Sequence, residues 1–259
     1  MLLTTLEFTL LSPEIAQVTL NRPTQHNAYN AAMVAELAQV VDHCEQQPAL
    51  RVVILTGKGE KSFCAGADLN EALVNGGDTL RNRHGGFSPL QYLTRRKIWI
   101  AALNGTAAGG GLELALQCEM IVAAEGCQLM LPEVRHNLLP AGGGIERLMT
   151  RLPPAIAREM LLTGLPISAT RAQVLGLINR VVSAENVARE ALALAEQVAA
   201  NAPLAVQACN ALANIALDGD RSSLQQQQEQ ALMQLAQSED AQESQQAWQQ
   251  RRKPQWRGR

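Results

Sequence analysis

The stretch that decides the fold is residues 98–124, IWIAALNGTAAGGGLELALQCEMIVAA. Its opening run, residues 98–103, is continuously apolar, which is typical of a strand buried on both faces. Residues 111–117 then predict a helix, and residues 120–124 predict another strand. This strand–helix–strand order predicts βα-type units and a largely parallel sheet.

The same order occurs upstream. Residues 15–20, IAQVTL, and residues 51–56, RVVILT, predict two strands. Between them lie a turn-rich stretch around Pro23 and an amphipathic helix that ends before Pro48. The apolar positions that share one face of this helix are Met33, Val34, Leu37, Val40, Val41 and Cys44.

Other regions differ from these units. Residues 71–92 are polar, contain Gly and show no clear period, so we interpret them as a mobile surface segment. From about residue 143 the chain is predicted to be mainly helical, with a short strand at 177–182. Pro203 is predicted in the first turn of a helix, and Gln225–Gln228 on an exposed helix face. A further helical face is marked by Ala191, Leu192, Ala195 and Val198.

The composition limits the possible classes of protein. Hydrophobic residues make up 47% of the 259 residues, enough to bury a substantial core, and 22 basic against 24 acidic residues give a net charge of −2. This balance argues against broad attraction to nucleic acid or membranes. We expect no signal peptide and no membrane span. The five cysteines are odd in number and widely spaced, which predicts reduced thiols in the cytoplasm, and the four histidines lack metal-ligand spacing, so no metal site is expected.

Two Gly-rich turns are the first candidate site. Residues 63–69, FCAGADL, follow one predicted buried strand, and residues 104–113, NGTAAGGGLE, follow another. Open α/β sheets place ligand crevices beyond the carboxyl ends of such strands. Backbone N–H groups from both turns could converge on one oxygen and form an oxyanion hole. Tight helix–strand packing at the glycines explains the pattern equally well.

Two glutamates accompany these turns. Glu113 lies in the first turn of an otherwise apolar helix, where a negative charge is favoured, so it either stabilises the helix dipole or acts in a site. Glu133 follows an apolar run and is either a surface residue at a strand end or a second functional carboxylate. The residue pattern alone does not decide between these interpretations.

Four ordered motifs together resemble the crotonase (enoyl-CoA hydratase/isomerase) superfamily. They are Asn21-Arg22-Pro23 with Asn27-Ala28, VVILTGKGEKSFCAGADL (52–69), NGTAAGGGLELAL (104–116) and LPEVRHNLLPAGGGIERL (131–148). The basic tail RRKPQWRGR (251–259) is also similar to tails of this family. The resemblance therefore covers nearly the whole chain.

The resemblance implies a fold and a substrate class. The fold is α/β, a crotonase-like spiral of βα-type repeats over residues 1–200, followed by a C-terminal helical trimerisation region over residues 201–259. The implied substrate is an acyl-CoA thioester, with no cofactor besides the coenzyme A that belongs to the substrate. The implied assembly is a homotrimer or a dimer of trimers. Neither nucleic acid nor a membrane is expected as a partner.

The resemblance also implies roles for individual residues. The N–H groups of Ala67 and Gly110 would stabilise a thioester enolate, Glu113 would activate a water molecule, and Glu133 would deliver the α-proton. Retention of both carboxylates favours hydration or dehydration over one-base chemistry. The implied acyl-CoA contacts are Ala28, Ala65, Gly66, Asp68, Leu69, Gly109, Pro132 and Gly142.

Departures from the family pattern leave alternatives open. Asn137, preceded by His136, stands where many family members have Gly, and Gly143-Gly144-Ile145 replaces the commoner Gly-Gly-Thr. These positions lie near the expected acyl pocket, so acyl specificity is open. The overall pattern, including the stretch PPAIAREMLLTG (153–164) and the tail, also resembles carnitinyl-CoA dehydratases. Isomerase, thioesterase and decarboxylase chemistry are further alternatives, as is an RNA-binding relative, which would need a basic face. The basic tail either lies near the coenzyme A phosphates or is simply solvated.

Overall fold

The computed structural model describes residues 1–219 and 221–259. These residues form ten β-strands and ten α-helices. The strands are β1 (Leu6–Ser12), β2 (Ile15–Leu20), β3 (Val52–Gly57), β4 (Ser62–Cys64), β5 (Ile98–Leu103), β6 (Thr106–Ala108), β7 (Met120–Ala124), β8 (Gln128–Met130), β9 (Ile167–Ser168) and β10 (Arg180–Val182). The helices are α1 (Ala31–Gln46), α2 (Leu69–Asn75), α3 (Gly110–Leu116), α4 (Gly144–Arg151), α5 (Pro154–Thr163), α6 (Ala169–Val174), α7 (Val187–Ala199), α8 (Pro203–Asp218), α9 (Arg221–Ala236) and α10 (Glu239–Gln250).

The strands form two sheets that repeat the same order. The larger sheet has six strands in the order β1-β2-β3-β5-β7-β10, and all its pairs except β1–β2 are parallel. The smaller sheet has four strands in the order β4-β6-β8-β9, with β8–β9 antiparallel. Each central strand is followed by a short strand in the other sheet: β3 by β4, β5 by β6 and β7 by β8. The prediction of an α/β fold with largely parallel sheets is confirmed.

The apolar strands lie where both faces are covered. Every residue of β5 is buried, and β3 is buried except at Thr56. Helix α7 packs across β3, β5 and β7 with a face that includes Ala191, Leu194 and Ala195. Small side chains let this helix approach the sheet closely, which suits a chain with 3% aromatic residues.

Several helix boundaries follow local sequence rules. The Asn30 side chain accepts a hydrogen bond from the Met33 N–H and caps α1, whose buried face includes all six apolar positions predicted from the periodicity. Pro203 occupies the first position of α8, as predicted. The strand predicted at 177–182 is shorter in the structure, because only Arg180–Val182 pairs with β7.

The prediction of a surface segment at residues 71–92 is confirmed for most of its residues but is wrong for a buried part within residues 80–91. The segment begins within α2, and a 3-10 helix follows at Gly77–Leu80. Asn82, Ser88 and Leu90 are buried. The Asn82 amide donates to the carbonyls of residues 88, 89 and 91, and its oxygen accepts from the N–H groups of residues 84 and 86. A single buried amide thus satisfies the backbone of an irregular segment, and hydropathy patterns do not reveal this arrangement.

The C-terminal helices are less buried than the core. Gln225–Gln228 are exposed on α9, as predicted. Apolar side chains that are more than half exposed here include Leu217, Leu232 and Met233. The predicted boundary near residue 200 falls between α7 and α8, but the assignment of residues 201–259 to trimerisation stays a prediction. Across residues 1–219 and 221–259, no helix combines the length and apolar character needed to cross a membrane.

Candidate active site

The first Gly-rich turn leaves β4 and passes beside residue 29. Tyr29 N–H donates to the Gly66 carbonyl and Asp68 N–H donates to the Tyr29 carbonyl, both at 2.9 Å. These two bonds join Tyr29 to the residues on either side of Ala67 in the manner of a parallel strand pair. The N–H of Ala67 itself is not used in this pairing. Gly66 has a φ of +97°, a left-handed conformation that glycine adopts without strain. The turn thus presents a backbone donor at Ala67.

The second Gly-rich turn leaves β6 and begins α3. Gly109 has a φ of +53°, and its N–H donates to the Met130 carbonyl at 2.9 Å. Gly110 is the first residue of α3, where an N–H has no preceding helical carbonyl to bond. The second turn therefore presents a backbone donor at Gly110.

The two turns are in direct contact. A methyl group built at Gly66 would lie 2.9 Å from the Gly110 nitrogen and 3.0 Å from the Ala108 carbonyl oxygen. Among the hydrogen bonds of the described residues, neither Ala67 N–H nor Gly110 N–H is a donor. Two backbone donors on touching turns form an arrangement able to bind one developing oxyanion. The tight packing of the glycines is therefore observed, and it brings the two turns close enough that the oxyanion-hole interpretation stays open as a prediction.

Glu113 lies one turn into α3 and is 3% exposed. Its Oε1 accepts the Gly144 N–H at 2.8 Å. The pKa of Glu113 is raised from 4.5 to about 7, chiefly by burial and in part by the charge of Glu133, while the N–H groups of Gly144 and Gly142 and the charge of Arg147 act in the opposite direction. A carboxyl group with this pKa can both lose and accept a proton near neutral pH.

Glu133 lies in the 3-10 helix Pro132–His136, against the second turn. A methyl group built at Gly109 would lie 3.1 Å from its Oε1, so the absence of a side chain there makes room for the carboxylate. Its Oε2 is buried without a hydrogen-bond partner among the described residues. Burial raises its pKa, while its own backbone N–H and the charge of His136 lower it. Glu133 is therefore a second acidic group beside the two backbone donors.

Most of the other predicted contact residues adjoin the same turns. Arg22 donates to the Ala28 carbonyl at 2.5 Å and pairs with the Asp68 carboxylate at 2.9 Å, which joins the N-terminal motif to the first turn. Ala65 N–H donates to the His26 carbonyl at 3.0 Å. Gly142 lies against Glu113, since a methyl group there would be 2.7 Å from its Oε2.

Two predicted contact residues lie farther out. Leu69 begins α2 and is 50% exposed. Pro132 begins the 3-10 helix that carries Glu133, and its Cα lies beside Gly164 at the end of α5. The structure thus brings the two turns and both carboxylates together, with these two residues at the periphery.

Tyr29 is a site residue that the sequence analysis did not single out. Its hydroxyl donates to the Phe87 carbonyl at 3.1 Å and occupies the space beside Gly110, where a methyl group would lie 2.1 Å from it. Burial raises its pKa well above 10, and the charges of Glu113 and Glu133 contribute. The available sequence signal was the position of this aromatic residue, directly after the Asn27-Ala28 pair of the N-terminal motif.

Gln117 and Ser88 were also missed. Gln117 follows α3 and donates from Nε2 to the Gly142 carbonyl at 2.8 Å. Ser88 Oγ donates to Gln117 Oε1 at 3.2 Å, and both residues are buried. A polar residue at the end of the apolar run LELALQ was the only sequence signal for this contact.

The departure at Asn137 has a structural explanation. Asn137 ends the 3-10 helix with a φ of 56° and a ψ of 35°, the left-handed region that glycine adopts most easily. Asparagine is among the few other residues that tolerate this conformation. The substitution of Asn for the glycine of many family members therefore keeps the backbone turn next to Glu133.

The basic tail is bound to the chain's own acidic residues. Arg252 pairs with Glu243, and both Arg257 and Arg259 approach Glu239. The Trp256 carbonyl accepts a hydrogen bond from Arg51 at 2.9 Å. Three of the five basic side chains of the tail are therefore paired within the molecule, and a contact of the tail with the coenzyme A phosphates stays a prediction.

Sequence and structure comparisons extend this description to other proteins. A family model described as Enoyl-CoA hydratase/isomerase matches residues 11–259. A carnitinyl-CoA dehydratase from Proteus mirabilis (strain HI4320) is 38% identical over 250 residues, which are 95% of each chain.

Solved structures agree in fold. The crystal structure of an enoyl-CoA hydratase from Mycobacterium tuberculosis H37Rv superposes with a TM-score of 0.90 at 36% identity and covers 98% of this chain and 99% of that one. An enoyl-CoA hydratase from Bacillus anthracis superposes with a TM-score of 0.90 at 32% identity, over 99% of this chain and 100% of the other. The predicted crotonase-like α/β fold is confirmed, and the chain belongs to the enoyl-CoA hydratase/isomerase family.

Proposed function

We propose that this enzyme is an enoyl-CoA hydratase, a hydro-lyase that reversibly adds water in the syn sense to a 2-enoyl-CoA thioester and forms a 3-hydroxyacyl-CoA. The observation that carries the proposal is the pair of carboxyl groups with raised pKa values, the buried Glu113 and the half-buried Glu133, beside two free backbone donors. Hydration needs one group to take a proton and another to give one, and this site offers both.

The two backbone donors act on the thioester oxygen. In the proposed mechanism this oxygen accepts hydrogen bonds from the N–H groups of Ala67 and Gly110. When a nucleophile adds to the β-carbon, negative charge moves onto the thioester oxygen as an enolate forms. Donors fixed by tightly packed turns stabilise that charge without reorganising, which is the effect of an oxyanion hole.

The two carboxyl groups divide the proton transfers. Glu113, in its ionised form, takes a proton from water while the water oxygen bonds to the β-carbon. Glu133, in its protonated form, gives its proton to the α-carbon as the enolate collapses. The substrate gains the elements of one water molecule, and the protonation states of the two glutamates are exchanged. Two carboxyl groups in different surroundings support such a division, because their pKa values are set separately.

Dehydration of carnitinyl-CoA is the second candidate. It is the same chemistry in the reverse direction on a cationic acyl group, and a relative with that name is 38% identical over 95% of the chain. Enoyl-CoA isomerisation and thioester hydrolysis are less favoured, because one-base chemistry does not require two carboxyl groups with raised pKa values.

The binding partners and assembly belong to the same proposal. The substrate is an acyl-CoA thioester contacted by Ala28, Ala65, Gly66, Asp68 and the other predicted residues, and no cofactor or metal is added. The exposed apolar side chains of α8 and α9 support a homotrimer or a dimer of trimers, since they would be buried between subunits. Free thiols at all five cysteines support a cytoplasmic location.

A substrate panel tests the proposal. Purified protein is assayed with 2-enoyl-CoA and 3-hydroxyacyl-CoA thioesters of several chain lengths, with crotonobetainyl-CoA and carnitinyl-CoA, and with 3-enoyl-CoA for the double-bond shift. We expect interconversion of 2-enoyl- and 3-hydroxyacyl-CoA to be fastest. A faster double-bond shift or hydrolysis would contradict the hydratase assignment, and preference for carnitinyl-CoA would select the second candidate. A salt-dependent RNA shift assay on the same preparation tests the non-enzymatic alternative.

A further inference from the structure

Both polar atoms of the Gln117 side-chain amide are hydrogen-bonded in the interior of the protein. Gln117 directly follows α3, one helical turn beyond Glu113, and is 5% exposed. Its Nε2 donates to the Gly142 carbonyl at 2.8 Å, and its Oε1 accepts the hydroxyl of the fully buried Ser88 at 3.2 Å. Both donor and acceptor functions are used, so the amide has one preferred orientation.

The turn that Gln117 contacts has a second support of the same kind. Gln91 donates from Nε2 to the Ala141 carbonyl at 3.3 Å, while its Oε1 accepts the Phe87 N–H at 2.8 Å. Two buried glutamines therefore fix two consecutive carbonyls, those of residues 141 and 142. Both glutamines are also tied to the segment whose carbonyls the Asn82 amide binds: Gln117 through Ser88, and Gln91 as a member of that segment.

The same turn sets the surroundings of Glu113. The Gly144 N–H donates to Glu113 Oε1 at 2.8 Å, and Gly142 lies close enough that a methyl group there would be 2.7 Å from Oε2. Only one residue separates the carbonyl that Gln117 binds from the N–H that binds Glu113. Because peptide units are planar and linked by two dihedral angles per residue, a displacement of this carbonyl shifts that N–H.

We infer that Gln117 is a positioning residue that holds the turn at residues 142–144 against the Glu113 carboxylate and so orients the group proposed as the base. The catalytic consequence rests on the proposed function, whereas the effect on the Glu113 carboxyl does not. Gln117 acts through the turn, and the structure shows no contact between its amide and the two backbone donors.

Loss of this support changes the ionisation of Glu113 in a known direction. The N–H groups of Gly144 and Gly142 lower its pKa by favouring the charged form, and the Gly144 N–H does so through its hydrogen bond to Oε1. A looser turn weakens these bonds, so the pKa of Glu113 rises above about 7. Other charged or titratable groups also face Glu113. The charge of Glu133 raises the pKa of Glu113 and that of Arg147 in α4 lowers it, while the charges of Glu113 and Glu133 raise the pKa of the Tyr29 phenol. None of these groups is substituted in the test.

The test compares pH profiles of kcat/KM for Gln117→Met, Ser88→Ala and the control Gln173→Met, which changes an exposed glutamine of α6. Methionine keeps the length of the side chain but cannot donate. For Gln117→Met we expect about a three- to tenfold loss at pH 6 and little loss at pH 9, the effect of weakening one hydrogen bond to a charged group. Ser88→Ala should shift the profile in the same direction by less, and the control should match the wild type.

An equal loss at every pH, with folding verified by circular dichroism, would overturn the inference, because a purely structural defect does not move the profile. If Gln117→Met does not fold, Ser88→Ala and Gln91→Met must still move the acidic limb to higher pH, and unmoved profiles overturn the inference.

A second measurement separates this inference from the proposed function. The infrared band of the Glu113 carboxylic acid, identified by its loss in Glu113→Gln, can be titrated without substrate. Its midpoint should be higher in Gln117→Met than in the wild type even if no acyl-CoA is hydrated. Equal midpoints would overturn the positioning role, whatever reaction the enzyme catalyses.

Discussion

The two carboxyl groups of the site are held in different ways. Glu113 belongs to a helix of the interior, is 3% exposed and accepts a backbone N–H from a turn that is itself fixed by buried glutamines. Glu133 belongs to a 3-10 helix and is followed directly by the exposed residues 134–139, and its Oε2 is buried without a partner among the described residues. One group is fixed by its surroundings, whereas the other keeps an oxygen available.

This difference suits the proposed division of labour. A base that directs water at one face of the substrate benefits from a fixed orientation. A group that exchanges protons with the substrate benefits from an oxygen not already used in the fold. The four predictions below test this comparison, from the largest expected effect to the smallest.

The largest effect is expected when either carboxylate is neutralised. Glu113→Gln and Glu133→Gln should each lower kcat for hydration by about 10²–10⁴-fold, because each removes one of the two proton transfers. The loss of kcat in the double variant should be far smaller than the product of the two single losses. Its kcat should lie close to that of the worse single variant, since the two groups act as a unit. Steady-state hydration and double-bond shift are measured on the same preparations.

The outcome against the two-carboxylate mechanism is specific. Wild-type hydration in Glu113→Gln together with an inactive Glu133→Gln would replace it with a one-base mechanism. Acyl-CoA binding, measured by calorimetry, should persist in both variants, because the backbone donors remain.

The next effect concerns the packing around each carboxylate. In Gly144→Ala the new methyl would lie 2.9 Å from Glu113 Oε1, and in Gly109→Ala it would lie 3.1 Å from Glu133 Oε1. Displacement of a catalytic group by about 1 Å can cost about 10²-fold in rate, so we expect Gly144→Ala to lose up to that factor in kcat.

Gly109→Ala should also lose stability, because Gly109 has a φ of +53°. Gly126→Ala is the matched control, since a methyl group at Gly126 meets nothing within 4 Å. Full activity in Gly144→Ala would show that Glu113 tolerates displacement and would weaken the contrast between the two groups.

A third effect appears in stability rather than rate. The pKa of Glu113 rises from 4.5 to about 7 on folding, so the folded state holds this proton more tightly. Stability from this group is complete below about pH 4.5 and is lost as pH rises through 7, by up to about 3 kcal/mol in total. In Glu113→Gln this loss should be absent, which urea unfolding at pH 5 and pH 8 measures.

Glu133→Gln should change the pH dependence in the same direction, since burial raises the pKa of Glu133 as well. Identical pH dependence in the wild type and Glu113→Gln would show that Glu113 titrates as it does in the unfolded chain.

The smallest effect concerns the backbone beside Glu133. Asn137 adopts a φ of 56°, so Asn137→Ala should cost about 1 kcal/mol of unfolding free energy, while Asn137→Gly should be nearly neutral. Urea unfolding measures both variants, and kcat should change little because the Glu133 carboxyl is untouched. Equal stability of the alanine and glycine variants would remove the backbone explanation for this departure from the family pattern.

Much of the fold follows from the sequence because its signals are local. The apolar runs at 15–20, 51–56 and 98–103 are strands, and the periodicity of residues 33–44 is the buried face of α1. The second sheet was missed, because β4, β6 and β8 have only three residues each and carry no periodicity. Their pairing is set by the long strands that precede them.

The site was predictable in part. The motifs around Ala67, Gly110, Glu113 and Glu133 pointed to residues that the structure brings together, although their roles stay predictions. The support from Gln117 could not be predicted, because it depends on a carbonyl 25 positions away in sequence. The order of residues 82–91 was missed for the same reason, since it depends on one amide and several backbone groups.

The contact between Arg51 and Trp256 bears on the order of events during synthesis. Arg51, just before β3, donates to the carbonyls of Ala199 and Trp256, and the second bond joins residues 205 positions apart. Closing so long a loop costs little more than closing one of half the length, about 0.6 kcal/mol, so the bond is affordable at equilibrium. A nascent chain cannot form it until residue 256 has left the ribosome. The start of β3 therefore lacks this contact until a segment made 205 positions later has emerged, and the partly folded chain must persist without it for that interval.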